Sequence, residues 1–177
     1  NIARLRPTVD GAGHKLQTLA PILTSTHNAF RPVDLNTGPD GALYVADWFN
    51  PIIGHYQASL RHPDRDKVNG RIWRITTKGQ TLLKPTALGK MNASQLCNQL
   101  AAPLRHTRKQ AKLRLMDLPK AKAIAATQQW VDSLNPTDPA LEPKLFEAIG
   151  VFESHEVVDR PLLERLLASK DYRARAY

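Results

Sequence analysis

The spacing of apolar residues changes partway along this chain, and that change limits the folds available to it. Residues 43–47 and 70–76 are short, apolar and rich in β-forming residues, as strands are. From about Met91 onward, apolar residues instead recur at the spacing of an amphipathic helix. The sequence therefore predicts a β-then-α fold with two parts, residues 1–85 and residues 86–177, in which the strands end before about residue 85.

A β-hairpin is predicted around residues 38–41. The sequence VDLN at residues 33–36 alternates apolar and polar side chains, GPDG follows at 38–41, and LYVA follows at 43–46. Proline fixes φ at about −65°, and glycine supplies the positive φ that a hairpin turn of this kind requires. A third strand is predicted at residues 70–76, and residues 2–6 are also strand-like.

Five helices are predicted in the second part. The first begins at Asn92, a capping side chain with Gln95 three residues further on. The other helices are marked by apolar positions and turn residues. These positions are Leu104, Ala111 and Leu115; Ile124, Trp130, Val131 and Leu134; Leu141, Leu145, Ile149 and Phe152; and, after a cap at Asp159, the predicted buried face Leu162, Leu163, Leu166 and Leu167.

Five short segments of the β region carry a resemblance to a known family. They are FRPVD at 30–34, GPDGALYVADW at 38–48, NPIIGH at 50–55, RDK at 65–67 and GRIWRI at 70–75. In this order and spacing they resemble the last propeller blade of the PVC-type membrane-bound dehydrogenases. The β-propeller of that family is similar to that of the soluble quinoprotein sugar dehydrogenases.

The resemblance implies a fold and a function. Residues 1–85 would be the C-terminal part of a β-propeller and residues 86–177 the first HEAT-like repeats, as a fragment of a larger exported protein of the periplasm or cell envelope. The whole protein would be a sugar or polyol dehydrogenase that holds pyrroloquinoline quinone (PQQ) and Ca²⁺, with haem c in a separate C-terminal domain. No cofactor is expected within this segment, and the family's catalytic base comes from an earlier blade. The alternative is a non-catalytic propeller and HEAT module that binds a protein partner.

A faint internal repeat also marks the helical part. Leu163 lies 67 positions after Leu96, and the same shift aligns Leu100 with Leu167, Ala101 with Ala168, and Arg108 with Arg175. A leucine-rich helix, a short turn and an arginine at the start of the next helix resemble the layout of HEAT repeats. Because such repeats bury a shared core, a break in the array at Tyr177 is expected to leave an apolar face uncovered.

The net charge of +9 raises the question of nucleic-acid binding. The densest run of basic residues shares a predicted helix with an apolar stripe, which indicates a solvated helix face. The sequence lacks a nucleic-acid-binding motif, and its aromatic residues are too sparse for a stacking platform. We therefore expect no nucleic-acid partner. The basic run consists of Arg105, Arg108, Lys109, Lys112 and Arg114.

Cys97 is the only cysteine of the chain, which excludes an internal disulfide and a cysteine-based metal site. It lies in a predicted helix, where a small buried side chain is expected rather than a reactive thiol. The chain has no run of 18 apolar residues, so the sequence predicts no helix that spans a membrane.

The candidate site is the long connection between the strands that end at Asp47 and begin at Gly70. Long ordered loops on rigid scaffolds often form binding sites. His55 is the candidate catalytic base, because the pKa of histidine lies near neutrality. Its alternative role is a structural hydrogen bond to a neighbouring blade.

The other candidates in this connection have two readings each. Asp47 and Asn50 are candidate substrate ligands, for a sugar hydroxyl or a cation, or Asp47 caps the turn; no D-x-D-x-D-G loop occurs, so no metal site is predicted. Trp48, with Phe49, could stack on a sugar ring or pack between blades. Arg61 and Arg65 are candidate cofactor-binding residues for an anionic group such as a quinone carboxylate, or Arg65 belongs to a surface ion-pair run.

Overall fold

The computed structural model describes residues 1–11, 13–52 and 61–175, except for the side chain of Arg173. These residues form two compact units. The first holds Asn1–Gly38 and Ala42–Leu82, and the second holds Pro39–Gly41 and the chain from Leu83 onward. The β-then-α order predicted from the sequence is confirmed, because the last strand ends at Ile75 and helical structure begins at Leu88.

The first unit contains two small antiparallel sheets. One sheet pairs β1 with β2, and the other has the order β3-β4-β5. Each strand of the second sheet is therefore next to its neighbour in sequence, as in a meander. The strands are β1 (Ile2–Asp10), β2 (Gly13–Leu23), β3 (Pro32–Thr37), β4 (Leu43–Asp47) and β5 (Arg71–Ile75).

The hairpin formed by β1 and β2 is longer than the sequence predicts. Residues 2–6 are the predicted strand, yet β1 continues to Asp10 and pairs with a strand that the apolar pattern does not reveal. Most residues of both strands are exposed, so no alternation of buried and exposed positions marks them. The backbone provides the signal instead: Asp10 pairs with Gly13, and Gly11 has a φ of +60°.

The turn between β3 and β4 is as predicted. Gly38 donates its backbone N–H to the carbonyl of Ala42 over 2.8 Å, and Gly41 has a φ of +79°. The core beneath this sheet is small and consists of Ile2, Phe30 and Val45. Val45 is completely buried at the centre of the sheet, since β4 is paired on both sides.

The second unit is helical. A single apolar core joins its helices, with Leu100, Leu115, Leu145 and Phe152 among its largest buried side chains. No helix in the described ranges is long and apolar enough to cross a membrane. After a 3₁₀ turn at Leu88–Lys90, the helices are α1 (Ala93–Gln99), α2 (Arg105–Met116), α3 (Lys120–Asp132), α4 (Leu141–Ser154), α5 (Arg160–Leu167) and α6 (Tyr172–Arg175).

Both predicted helix caps are present. Asn92 accepts a hydrogen bond from the backbone N–H of Gln95, and the Gln95 side chain accepts one from the N–H of Asn92, each over 2.9 Å. This is the predicted capping box. At the start of α5, Asp159 accepts a hydrogen bond from the N–H of Leu162 over 2.9 Å.

The buried face predicted for α5 is half correct. Leu162 and Leu166 are buried, whereas Leu163 is 39% exposed and Leu167 is 55% exposed. The prediction grouped all four leucines because adjacent positions on a helix are only about 100° apart. The pairs 162/166 and 163/167 each have the four-residue spacing of a buried helix face, so the sequence does not show which pair is buried. The structure separates them into one face that packs in the core and one that does not.

The 67-residue shift is also visible in the geometry of the helices. Helices α1 and α5 begin at positions related by that shift, as do α2 and α6. In each copy an arginine at the start of the second helix donates Nη1 hydrogen bonds to the two carbonyls that precede that helix at equivalent places. These bonds run from Arg108 to Ala102 and Pro103 over 2.8 and 2.9 Å, and from Arg175 to Ser169 and Lys170 over 2.7 and 3.1 Å.

The prediction of a small buried side chain for Cys97 is confirmed. Cys97 is completely buried, its Sγ lies 3.7 Å from Oγ1 of Thr127 on α3, and burial raises the pKa of the thiol. On the basic helix α2, Arg108 and Lys112 lie 3.0 and 2.6 Å from the carboxylate of Glu147 on α4. These two basic residues therefore form ion pairs between helices, so the predicted solvated face is wrong for them, whereas Arg105, Lys109 and Arg114 are exposed as predicted.

Candidate functional site

The candidate site is the strand-end segment, which we define as residues 47–50 at the end of β4. Asp47 is buried, and both of its carboxylate oxygens accept hydrogen bonds. Oδ1 accepts from the backbone N–H groups of Arg31 at 2.7 Å and Phe49 at 3.0 Å, and Oδ2 accepts from the indole N–H of Trp73 at 2.9 Å. Asp47 therefore connects the end of β4 both to β5 and to the residue that precedes β3.

The surroundings of Asp47 keep it ionised. Burial by itself would raise the pKa of this carboxyl. The hydrogen bonds from Trp73, Arg31 and Phe49, together with the charge of Arg71, outweigh burial and hold the pKa below its usual value of 3.8. The negative charge that remains is shared among three donors, which is the arrangement of a structural carboxylate that fixes a turn.

Phe49 adopts a backbone conformation that bulky residues rarely take, with a φ of +50°. Its ring is covered by the guanidinium of Arg71, whose Cζ lies 3.5 Å from the ring centroid, and the ring of His27 lies 5.2 Å away on centroids. A cation over an aromatic face contributes about 0.5–2 kcal/mol, comparable to the cost of about 1–2 kcal/mol for the left-handed conformation. The contact with Arg71 thus stabilises the strained turn.

Asn50 joins the strand-end segment to the far end of the long connection. Its side chain is buried, with Nδ2 donating to the carbonyl of Asp66 over 2.9 Å and Oδ1 accepting from the N–H of Ile52 over 3.1 Å. Asp66 in turn accepts hydrogen bonds from Asn69 and from the N–H of Val68, and these bonds lower its pKa. Both ends of the connection are therefore fixed by side-chain hydrogen bonds to the backbone.

Trp48 has the accessible side chain of the strand-end segment. Its backbone N–H donates to the carbonyl of Arg31 over 2.9 Å, while its indole side chain is 45% exposed. The neighbouring candidates Asp47 and Asn50 use their polar atoms in the internal hydrogen bonds described above. The segment can consequently offer a ligand a flat aromatic surface on a fixed backbone.

The other candidates belong to the long connection between β4 and β5. His55 lies outside the described residues. Arg61 is exposed and Arg65 is partly buried, and the N–H of Arg65 donates to the carbonyl of His62 over 3.1 Å. Asn50 donates a hydrogen bond to the backbone carbonyl of Asp66, the residue that directly follows Arg65. The backbone at Arg65 is therefore linked to the strand-end segment.

The sequence interpretation missed the part that Arg71 and Trp73 play at the strand-end segment. Both belong to β5, and Arg71 is the residue paired with Asp47 across the sheet. The signal was available: aligning β4 against β5 in antiparallel register places an acidic residue opposite a basic one. The same register places Trp73 opposite Val45, two residues from Asp47, which is within reach of a tryptophan side chain.

The strand-end segment does not fit a calcium ion. Ca²⁺ takes about 6–8 oxygen ligands, whereas the carboxylate of Asp47 and the amide oxygen of Asn50 already accept hydrogen bonds from the protein. Within the part of the chain that the structure describes, no three His, Cys, Asp or Glu side chains come together as metal ligands. We assign no metal to Asp47 or Asn50.

The comparisons with known proteins add one match. The family model described as a domain of unknown function (DUF7133) matches residues 8–79. The matched segment begins within β1 and ends just after β5, so it contains the strand-end segment and the long connection. No curated protein and no solved structure matches the chain.

Proposed function

We propose that the first unit is a terminal blade of a β-propeller. The order β3-β4-β5 is that of an antiparallel meander, and the large apolar side chains of Val33, Leu35 and Ile72 remain exposed on it. Ile72 is 77% exposed, while Trp73, the next residue along β5, points to the opposite face toward the core. Neighbouring blades would cover such a face, since propeller sheets pack against one another around the ring.

The same proposal extends to the helical unit and to the whole protein. The helices are HEAT-like repeats, and the protein is a quinoprotein-like dehydrogenase of sugars or polyols, exported to the periplasm or cell envelope. The support is the resemblance of residues 30–75 together with the strand-end segment. In this proposal the long connection forms one wall of a site on the face of the propeller.

One observation carries the function: the half-exposed indole of Trp48 lies on a backbone that buried hydrogen bonds hold in place. The C–H face of a sugar ring stacks on such an indole. Because Asp47 and Asn50 fix the segment before any ligand arrives, little ordering entropy is lost on binding. Trp48 is then the substrate-binding residue, and Asp47 and Asn50 are positioning residues.

The cofactor belongs to other parts of the protein in this proposal. PQQ would supply the hydride acceptor, and the hydrogen-bonded oxygens of the strand-end segment leave no ligand set for its Ca²⁺. Arg61 and Arg65 remain the candidates for contact with an anionic group, since guanidinium groups bind carboxylates in bidentate fashion. His55 remains the candidate base.

The test uses the protein as its natural host produces it. Oxidation of a panel of sugars and polyols is followed with an artificial electron acceptor, with PQQ and Ca²⁺ added, and KM is measured for the best substrate. We expect Trp48→Ala to raise KM about tenfold, the effect of losing about 1.4 kcal/mol of binding. The melting temperature should change little, because Trp48 is outside the core. Absence of any sugar or polyol oxidation would overturn the proposal.

Val68 offers a matched control in the same connection, since it is apolar and 91% exposed. Val68→Ala should leave KM unchanged. His55→Ala separates the two roles of that residue: a base lowers turnover much more than stability, whereas a structural histidine lowers stability by about 1–3 kcal/mol and leaves turnover per folded molecule unchanged.

The second candidate function is a non-catalytic module that binds a protein partner through the same connection or through the helices. The exposed leucines of α5 favour it. In that case Trp48→Ala weakens partner binding, and sugar oxidation is absent from the wild-type protein as well.

A further inference from the structure

The structure assigns an interaction surface to the helical unit: the groove beside α5 binds a further helical repeat of the same kind. That repeat contacts α5 through the face equivalent to the one that α2 and α3 turn toward α1. This inference does not depend on the dehydrogenase proposal, because it uses only the helices. The groove has a volume of about 360 Å³, and its apolar lining includes Phe146, Ile149, Val157, Leu163, Leu166 and Leu167.

The equivalent of this groove in the first copy of the repeat is the face of α1 that α2 and α3 cover. Helices α5 and α6 begin 67 positions after α1 and α2, the caps Asn92 and Asp159 are related by the same shift, and so are Arg108 and Arg175 with their carbonyl partners. Agreement in helix starts, caps and arginine hydrogen bonds means that α5 and α6 repeat the local structure of α1 and α2. The environment of α1 therefore indicates the environment for which α5 is built.

The two copies differ in how much of the equivalent leucines is covered. Leu96 and Leu100 on α1 are 2% and 1% exposed, in the core that α1 shares with α2 and α3. Their equivalents Leu163 and Leu167 on α5 are 39% and 55% exposed. Fully burying a leucine contributes about 1.5–3 kcal/mol, so this face of α5 retains a large unused capacity for binding.

A second face of the same helices, about 100° around the helix axis from the first, shows that α5 is built to pack on two sides. On α1, the positions of that face are Gln95 and Gln99, which are not buried. On α5 the equivalent positions are Leu162 and Leu166, which are buried in the core. Helix α1 thus has the polar outer face of a terminal repeat, whereas α5 has the two apolar faces of an internal one.

The chemistry of the groove describes the helix pair that fits it. An apolar stripe is required opposite Leu163 and Leu167, as Ala111 and Leu115 of α2 supply within the first copy, where both are completely buried. Glu153 and Glu156 lie at the edge of the groove, so basic residues flanking the stripe are favoured. Helix α3 has this character, since Lys120 and Lys122 lie in its first turn and its buried face is apolar apart from Thr127.

The experiment extends the chain by its own repeat. Residues 111–135 are appended directly after Tyr177, which keeps the 67-residue register because position 178 then corresponds to Ala111. We expect the extension to raise the melting temperature of the helical transition by about 5 °C or more, to abolish binding of a hydrophobic dye and to leave the protein monomeric. An extension without effect on the melting temperature would overturn the inference.

Paired substitutions show whether the groove is responsible. Leu163→Lys with Leu167→Lys should lower the stability of the unextended chain much less than that of the extended chain, because the two leucines are 39% and 55% exposed without the extension, and should cancel the gain from the extension. The control pair Leu113→Lys with Met116→Lys, at residues of similar exposure outside the groove, should keep the gain. A gain that survives the groove substitutions contradicts the inference. The inference is also contradicted if the unextended chain forms a dimer and the Leu163→Lys and Leu167→Lys substitutions make it monomeric, since the groove then binds a second copy of the chain.

Discussion

Trp73 donates its indole N–H to the buried carboxylate of Asp47 over 2.9 Å, which joins the middle of β5 to the end of β4. The other carboxylate oxygen is occupied by two backbone N–H groups, from Arg31 and Phe49. One side chain therefore sets both the pairing of the strand ends and the course of the chain as it leaves the sheet.

Asp47→Asn should destabilise the first unit by about 2–3 kcal/mol. The amide oxygen of asparagine can still accept from Arg31 and Phe49, but its NH₂ group then faces the indole N–H of Trp73, and two donors cannot form a hydrogen bond. Chemical unfolding followed by tryptophan fluorescence measures the loss. Trp73→Phe removes the opposing donor, so Asp47→Asn should cost at least about 1 kcal/mol less in that background. Equal costs in both backgrounds would show that the hydrogen bond is energetically unimportant.

The same carboxylate predicts a pH dependence. The pKa of Asp47 is lower in the folded protein than in the unfolded chain, so the unfolded chain takes up the proton first as the pH falls. The stability contributed by Asp47 is therefore complete well above the unfolded pKa and is lost as the pH falls through the folded pKa. Free energies of unfolding measured from pH 7 to pH 3 should show the difference between wild type and Asp47→Asn shrinking below about pH 4. A difference that is constant over this range would contradict the prediction.

Gly41→Ala should destabilise the protein more than Gly79→Ala does. Both glycines have similar positive φ values, +79° and +80°, so both substitutions carry the cost of the left-handed conformation, about 1–2 kcal/mol. A Cβ at position 41 would also lie 3.3 Å from Cδ1 of Leu83, whereas one at position 79 meets no atom within 4 Å. The excess cost, measured by thermal unfolding, should disappear when Leu83→Ala is added. Persistence of the excess would mean that the contact with Leu83 is not its cause.

Loss of either helix cap should cost about 1 kcal/mol of the free energy of unfolding of the helical unit. Asn92→Ala and Asp159→Ala each leave a backbone N–H at the first turn without its side-chain acceptor. Ser94→Ala, an exposed change within the first turn of α1, serves as the control and should change the free energy of unfolding by no more than a few tenths of a kcal/mol, because alanine favours the helix at least as much as serine does. Urea unfolding followed by circular dichroism at helical wavelengths compares the three. Caps that cost no more than the control would contradict the hydrogen-bonded geometry.

The sequence predicted the β-then-α order and most of the helices and strands because most of its signals are local. The capping box at Asn92, the turn at Gly41 and the helical spacing of leucines each depend on residues close together in the chain. The hairpin of β1 and β2 escaped because its strands are exposed on both faces and carry no apolar alternation. For such strands, pairing depends on the backbone and on a turn at Gly11 that composition alone does not single out.

The candidate site was predicted only in part, since its geometry depends on pairs distant in sequence. Asp47, Trp48 and Asn50 were identified from their position after an apolar strand, and the structure brings them together. Their roles depend on partners 16 to 26 residues away, namely Arg31, Asp66 and Trp73. Those roles require the register of β3, β4 and β5, which fixes the partners once the strands are aligned.

The buried thiol on α1 gives this protein an intrinsic kinetic probe. Cys97 is the only cysteine of the chain, its side chain is inaccessible against Thr127, and burial raises its pKa, so a thiol reagent can modify it only during excursions that separate α1 from α3. The labelling rate therefore reports how often that pair of helices opens. Its dependence on denaturant distinguishes local fraying from global unfolding without any engineered label.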